Sequence, residues 1–281
     1  MLPLSIVIPV SSDMRLLDCI ASVDIPVEIV VVFNNSPSLG LISAVEKNPN
    51  IKTTVIEGHE CSLAQAFNVG IEEATYDLIL LTNSDCGFVP GQLRECFQKL
   101  HGGLSVVKGN ILFKTNSLPT KLVAELRRLF HSGFEARFKK PLYGPGLAFH
   151  RSIKKDVGGY FFDEVMGWGE DGELSERIYN AGLQPYFLRS YLLTHPTENI
   201  RHDLKMAYLI GWGEWIQHKK VGGMTIGKAV CTDVLNLFGD RNRRFRLTLQ
   251  KSGMLTAVYL LAWKLVAHWG YYRHALSSKE V

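Results

Sequence analysis

The sequence predicts an α/β fold: a mostly parallel sheet with helices on both faces, followed by a helical C-terminal extension. Three observations carry this. Up to Leu104, short β-branched runs alternate with amphipathic segments, the pattern of parallel strands joined by helical crossovers. Runs such as Ile29-Val30-Val31-Val32 are apolar throughout rather than alternating, as strands buried on both faces are. After Pro196 the chain becomes helical and basic: residues 1–200 hold 18 Lys/Arg against 22 Asp/Glu, whereas residues 201–281 hold 13 against 5.

The 281 residues are 46% hydrophobic and 21% charged, which excludes a disordered or collagen-like chain and supplies a sizeable core. Strands are predicted at 4–10, 27–33, 51–57, 77–82 and 104–107, with helices at 13–23, 39–47, 62–74 and 91–100 between them. The opening run is apolar but lacks a basic segment and reaches Pro9 early, so it reads as a first strand rather than a signal peptide. Residues 114–119 read as a loop and 120–130 as a short basic helix. Gly144-Pro145-Gly146 is a turn before a strand at 147–150, and residues 168–181 form a helix stopped by Gly182. A strand at 186–194 and helices at 199–218, 226–238 and 245–274 complete the chain. The five cysteines are an odd number with no C-x-x-C pair, so neither a zinc site nor a disulfide framework is indicated and a reducing, cytoplasmic setting fits.

Ligands of such sheets sit beyond the carboxyl ends of the strands, which directs attention to three segments. The apolar strand Leu78-Ile79-Leu80-Leu81 ends in Thr82-Asn83-Ser84-Asp85. A carboxylate there can hold a divalent cation against a diphosphate, although Asn-Ser-Asp is also an ordinary turn sequence. One helix upstream, Ala64 and Ala66 permit close helix–sheet packing and Asn68 offers a donor and an acceptor; a plain amphipathic helix explains these residues equally well. In Gly167-Trp168-Gly169-Glu170-Asp171 the carboxylates suit the opening of a helix. The Trp between glycines also makes a flat apolar platform for a sugar ring, beside a carboxylate able to take a proton from a hydroxyl.

In order along residues 2–200, the strand with Pro9, the Val30-Val31-Val32-Phe33-Asn34-Asn35 stretch, Asn68-x-Gly70-Ile71, Asn83-Ser84-Asp85 and Gly167-Trp168-Gly169-Glu170-Asp171 resemble the motifs of the inverting GT-A glycosyltransferases of family 2. The resemblance implies a Rossmann-like GT-A domain over 1–200, with a nucleotide-sugar half at 1–107 and an acceptor half at 108–200, and an extension at 201–281. It implies Asp85 as a ligand of Mn²⁺ or Mg²⁺ and His195 as a further metal or diphosphate contact. Asp171 would be the catalytic base, and Trp168 and Glu170 would line the acceptor site. Pro9, Asn34, Asn35, Asn68, Asn83 and Ser84 would face a nucleotide-diphosphate sugar of UDP or dTDP type. The acceptor would be a glycan or a lipid-linked glycan.

The chain departs from that pattern in three places. Asn34 and Asn35 follow Phe33 where many relatives carry Asp, Asn83 replaces the first acid of D-x-D, and Phe67 stands where relatives often have Arg. These losses leave open a catalytically degenerate protein that binds a sugar nucleotide or scaffolds a complex. A nucleotidyltransferase, dehydrogenase or methyltransferase is disfavoured because Val10-Ser11-Ser12-Asp13 contains no glycine. The basic extension can lie on an anionic membrane surface, pack on its own protein or form a homodimer. Its arginines at 241–246 lack the stacking aromatics of a nucleic-acid site.

Overall fold

The computed structural model describes residues 1–35, 38–48, 51–56, 61–132, 140–221 and 240–277. They form two compact units, one of Met1–Phe113 with Leu142–Pro196 and one of Lys114–Pro141 with Thr197–Val281. The predicted boundary at residue 200 groups 114–141 with the sheet, whereas the structure groups it with the C-terminal helices. The predicted helix at 226–238 lies outside the described residues.

The first unit is built on an eight-stranded sheet of order β3-β2-β1-β4-β7-β6-β8-β5. Strands β1 (Leu4–Val10), β2 (Glu28–Phe33), β3 (Ile51–Val55) and β4 (Leu78–Leu81) make the parallel half. Strand β5 (Gly87–Phe88) pairs antiparallel with β8 (Tyr186–Pro196), and β7 (Leu147–His150) pairs antiparallel with both β4 and β6 (Val106–Lys114). Both faces are covered. On one, Ile6, Ile8, Val31 and Phe33 meet α1 (Leu16–Ala21), α2 (Leu39–Glu46) and α4 (Gln92–His101); on the other, Val7, Val30, Val32 and Phe149 meet α3 (Leu63–Glu73) and α6 (Glu170–Asn180). Double-sided cover is why these strands read as unbroken apolar runs.

The second unit contains α5 (Leu118–Ser132), α7 (Ile200–Val221) and α8 (Asp240–Ser277). Its core joins Val123, Leu126 and Leu129 to Ala207, Leu260, Trp263 and Ala267. Helices α7 and α8 approach backbone to backbone: a Cβ on Gly211 would lie 1.8 Å from the Ala267 carbonyl oxygen, and one on Gly270 would lie 2.1 Å from that of Tyr208. Buried Asp203 accepts from Arg127 Nε at 2.8 Å and from the Tyr259 hydroxyl at 2.5 Å, which satisfies a charge that would be costly alone. Helix α8 breaks at Gly253, whose φ is 83°.

Candidate active site

The site gathers at the carboxyl end of β4. Thr82 continues the ladder to Val7, and the chain then turns through Asn83 and Ser84 to Asp85. Because Gly87 pairs with Thr194, the end of β8 is drawn to this turn, and His195 Nε2 lies 3.4 Å from Asp85 Oδ2. The same carboxylate oxygen is 3.8 Å from Arg15 Nη1, which comes from the turn after β1. Arg15 is itself held by Asp13, with Nη2 to Oδ2 at 2.7 Å.

His195 Nδ1 lies 2.5 Å from the Pro196 carbonyl oxygen. A carbonyl only accepts, so this nitrogen carries the ring proton. In the neutral ring Nε2 is then a lone pair close to a carboxylate oxygen, and a cation between them or a second proton removes the conflict. Asp85 and His195 are therefore placed to share a divalent cation. Cys86 completes the cluster: one potential ligand atom each from Asp85, Cys86 and His195 lie within 4.8 Å of one another. Burial, reinforced by the Asp85 charge, pushes its thiol far up, so it stays protonated and donates to Asp85 Oδ1 at 3.8 Å.

Asp171 is the second residue of α6. Gly169, at φ 83°, caps this helix in the left-handed region that glycine occupies without strain. Asp171 Oδ2 accepts from the Gly144 N–H and Oδ1 from the Gly172 N–H, both at 2.7 Å. The Gly144-Pro145-Gly146 turn is in turn fixed to the sheet, with Gly146 N donating to Leu81 O at 2.7 Å and Gly109 N to Gly146 O at 2.8 Å. Asp171 is thus tied to the end of the very strand from which Asp85 departs.

Beneath this turn, Lys108 of β6 is 2% exposed and its Nζ donates to Pro145 O at 2.6 Å and Gly109 O at 3.3 Å. Burial lowers the Lys108 ammonium to about 8, against the opposing pull of the Asp171 charge. Burial likewise raises the Asp171 carboxyl, and the Gly144 and Gly172 N–H groups and Lys108 oppose that rise. Glu170 is 6% exposed, and burial together with the Asp171 charge raises it to about 8. Glu170, expected from the sequence to line the acceptor site, thus sits where burial and the neighbouring Asp171 charge favour its protonated form. Trp168, immediately before the cap, is half-buried.

The other predicted contacts divide. Pro9 is buried in β1 opposite Val32 and beyond Val7, where the β4 pairing stops, so its missing N–H costs that ladder nothing. Asn34 is 7% exposed. Asn35 Nδ2 donates to Cys61 O and its Oδ1 accepts from Cys61 N, at 3.1 and 3.0 Å, so the amide staples two loops. Asn68 Nδ2 spends its donors on Phe162 O at 2.8 Å and Glu164 Oε1 at 2.9 Å, while Oδ1 accepts from Phe162 N at 3.0 Å. Asn35 and Asn68, expected from the sequence to face the nucleotide-diphosphate sugar, make these hydrogen bonds within the protein, Asn68 to the Glu164 carboxylate as well as to backbone. The Asn83 carbonyl accepts from Cys86 N at 3.2 Å, and the Asn83 and Ser84 side chains are half-buried beside Asp85.

The sequence reading missed Lys108, Arg15 and Gly144; a lysine inside the apolar run Val106-Val107-Lys108 was the available signal. A cavity of about 500 Å³ lined by Asp77, His150, Arg151 and Lys154 lies at the opposite end of β4 and β7.

Residues 5–154, more than half of the chain, match the model of the family described as "Glycosyl transferase family 2". The chain belongs to that family. None of the curated proteins matches it significantly. Among solved structures, S. aureus TarS 1-349 in complex with UDP-GlcNAc is similar at 14% identity and TM-score 0.55, covering 98% of this chain and 92% of that one. The complex of TarS 1-349 with UDP gives 15% identity, the same coverage and TM-score 0.54. A longer S. aureus TarS chain is 16% identical with TM-score 0.54 over 75% of this chain, and only 39% of its own length is covered. At these identities the likeness is one of fold, and this family 2 chain shares it over nearly its whole length.

Proposed function

We propose that this family 2 chain transfers a sugar from a nucleotide diphosphate, of UDP or dTDP type, to a hydroxyl of a glycan or lipid-linked glycan, with inversion and with a metal ion assisting. The observation that carries the reading is the shared anchorage of Asp85 and Asp171 at the end of β4. On this reading Asp85 would face the leaving diphosphate and Asp171 the entering hydroxyl. The fold likeness to TarS bound to UDP-GlcNAc and UDP supports a uridine donor.

Asp171 accepts one backbone N–H on each oxygen, so each oxygen keeps a lone pair. One of these takes the proton of the acceptor hydroxyl as its oxygen attacks the anomeric carbon from the face opposite the diphosphate. Glu170, whose carboxyl burial and the Asp171 charge push up, can when protonated donate to a sugar oxygen, and half-buried Trp168 offers an apolar face to the ring. Asp85 and His195 would hold Mn²⁺ or Mg²⁺, which when bound neutralises charge growing on the leaving diphosphate. Arg15, beside the same carboxylate, adds positive charge there.

The test is Asp171→Asn in a transfer assay across UDP- and dTDP-sugars. Loss of roughly a thousandfold or more in turnover, with UDP binding retained, is expected when a general base is removed. Near-normal turnover overturns the assignment.

A further inference from the structure

Helix α8 has two apolar faces. One, with Leu260, Trp263 and Ala267, is buried against the helices of its own unit. The other is bare: Met254, Val258, Leu261, Leu265, Trp269 and Leu276 are 59%, 53%, 48%, 72%, 64% and 59% exposed. Their spacings of three, four and seven residues put them on one side of the helix, in a stripe about 33 Å long at ~1.5 Å per residue. A continuous apolar surface of this extent marks an interaction site rather than scattered exposure.

Charge identifies the occupant. Helix α8, Asp240–Ser277, holds seven Lys/Arg against a single acid, Asp240 at its first residue. A second copy laid stripe to stripe would bring together two helices that each carry a net charge of about +6 from their Lys, Arg and Asp residues. An anionic lipid surface supplies both an apolar interior for the stripe and counter-charge for its surroundings. Among the described residues no helix is long and apolar enough to cross a membrane, so the helix would lie along the surface. The exposed Trp269 ring is of the kind that settles at a lipid–water boundary.

We infer that the Met254–Leu276 face of α8 is a docking surface for anionic lipid, with the helix parallel to the bilayer and the apolar stripe seated among the acyl chains. This gives the lipid-linked acceptor class a physical route to the enzyme, yet it does not rest on the transferase reading, because its test uses no activity.

The full chain is mixed with vesicles of phosphatidylcholine alone or with phosphatidylglycerol added, and bound protein is separated by flotation. Wild type is expected to float with the phosphatidylglycerol vesicles, less so at high salt. The triple variant Leu261→Ser, Leu265→Ser, Trp269→Ser should bind at least about tenfold more weakly, since each fully buried side chain of this size is worth roughly a factor of ten in partitioning. Leu265→Ser alone, at the most exposed position, should lose part of the binding and serves if the triple variant fails to fold; a wild-type melting curve checks folding. Wild type remaining unbound with both vesicles overturns the inference, as do variants that bind as wild type does. A dimer that becomes a monomer in the triple variant, without vesicle binding, assigns the stripe to a second copy and also overturns it.

Discussion

His195 Nε2 stands 3.4 Å from Asp85 Oδ2 while Nδ1 of the same ring meets the Pro196 carbonyl. Fixing one nitrogen to a carbonyl aims the other at the carboxylate, as in metal sites whose histidines are oriented from behind. UDP should therefore raise the melting temperature more with Mn²⁺ than without it, since a ligand of the folded state stabilises it. In Asp85→Asn that metal-dependent increment should vanish. In His195→Gln, metal affinity should fall by at least about tenfold. An unchanged increment in both variants removes the cation from this turn.

Lys108 acts on Asp171 twice: its Nζ holds the turn that carries Gly144 N–H, and its charge favours the ionised carboxylate. The titratable groups facing it are Asp171 and the thiols of Cys86 and Cys96, both of which burial keeps protonated, so Asp171 carries the only one of these charges. In Lys108→Met the acid limb of the pH–rate profile should move to higher pH, because the influence that lowers the Asp171 value is gone. Lys108→Arg should keep more of the charge effect than Met does, while its larger head strains the turn. A profile unmoved in Lys108→Met would leave the lysine a purely structural role.

Glu170 ties stability to pH. Its folded-state value of about 8 lies above the ordinary 4.5, so its contribution is fully present below about pH 4.5 and is lost as pH rises through about 8. The slope approaches ~1.4 kcal/mol per pH unit for one fully displaced group. Asp171, also raised, has the same sign, whereas Lys108, lowered from 10.5 to about 8, adds stability between those values. Glu170→Gln copies the protonated carboxyl. Its melting temperature should match wild type near pH 4 and exceed it at pH 8, and parallel pH curves for the two proteins would contradict this.

Gly211→Ala places a methyl group 1.8 Å from the Ala267 carbonyl oxygen. Backbone cannot yield as a flexible side chain does, so α7 and α8 must separate. Chemical denaturation should report a loss at the upper end of the ~1–3 kcal/mol typical of overpacking, or beyond it.

Strand β1 was legible to the residue because every position in it is apolar or β-branched apart from Ser5 and Pro9. Strand β6 was not: Lys108-Gly109-Asn110 reads as the end of a strand at 107, yet β6 runs to Lys114 because backbone carbonyls satisfy the buried ammonium. Two-residue β5 carries no periodicity to read, although its pairing is what delivers His195 to Asp85. The antiparallel partners of β6, β7 and β8 depend on long-range pairing that local pattern does not encode. Asp85 and Asp171 were legible as acids where an apolar strand ends and where a helix opens, and His195 through the family resemblance; the hydrogen bonds of Asn35 to Cys61 and of Asn68 to Phe162 and Glu164 join segments far apart in sequence, which local pattern does not encode.

Residues 114–141 leave the sheet between β6 and β7, and α5 contributes Val123, Leu126 and Leu129 to the core it shares with the C-terminal helices. A protein cut at residue 200 to isolate the catalytic half would keep α5 while discarding the partners of its greasy side. Such a fragment should be sticky and poorly soluble however sound its sheet, because α5 precedes the cut in sequence while the helices it packs on follow it.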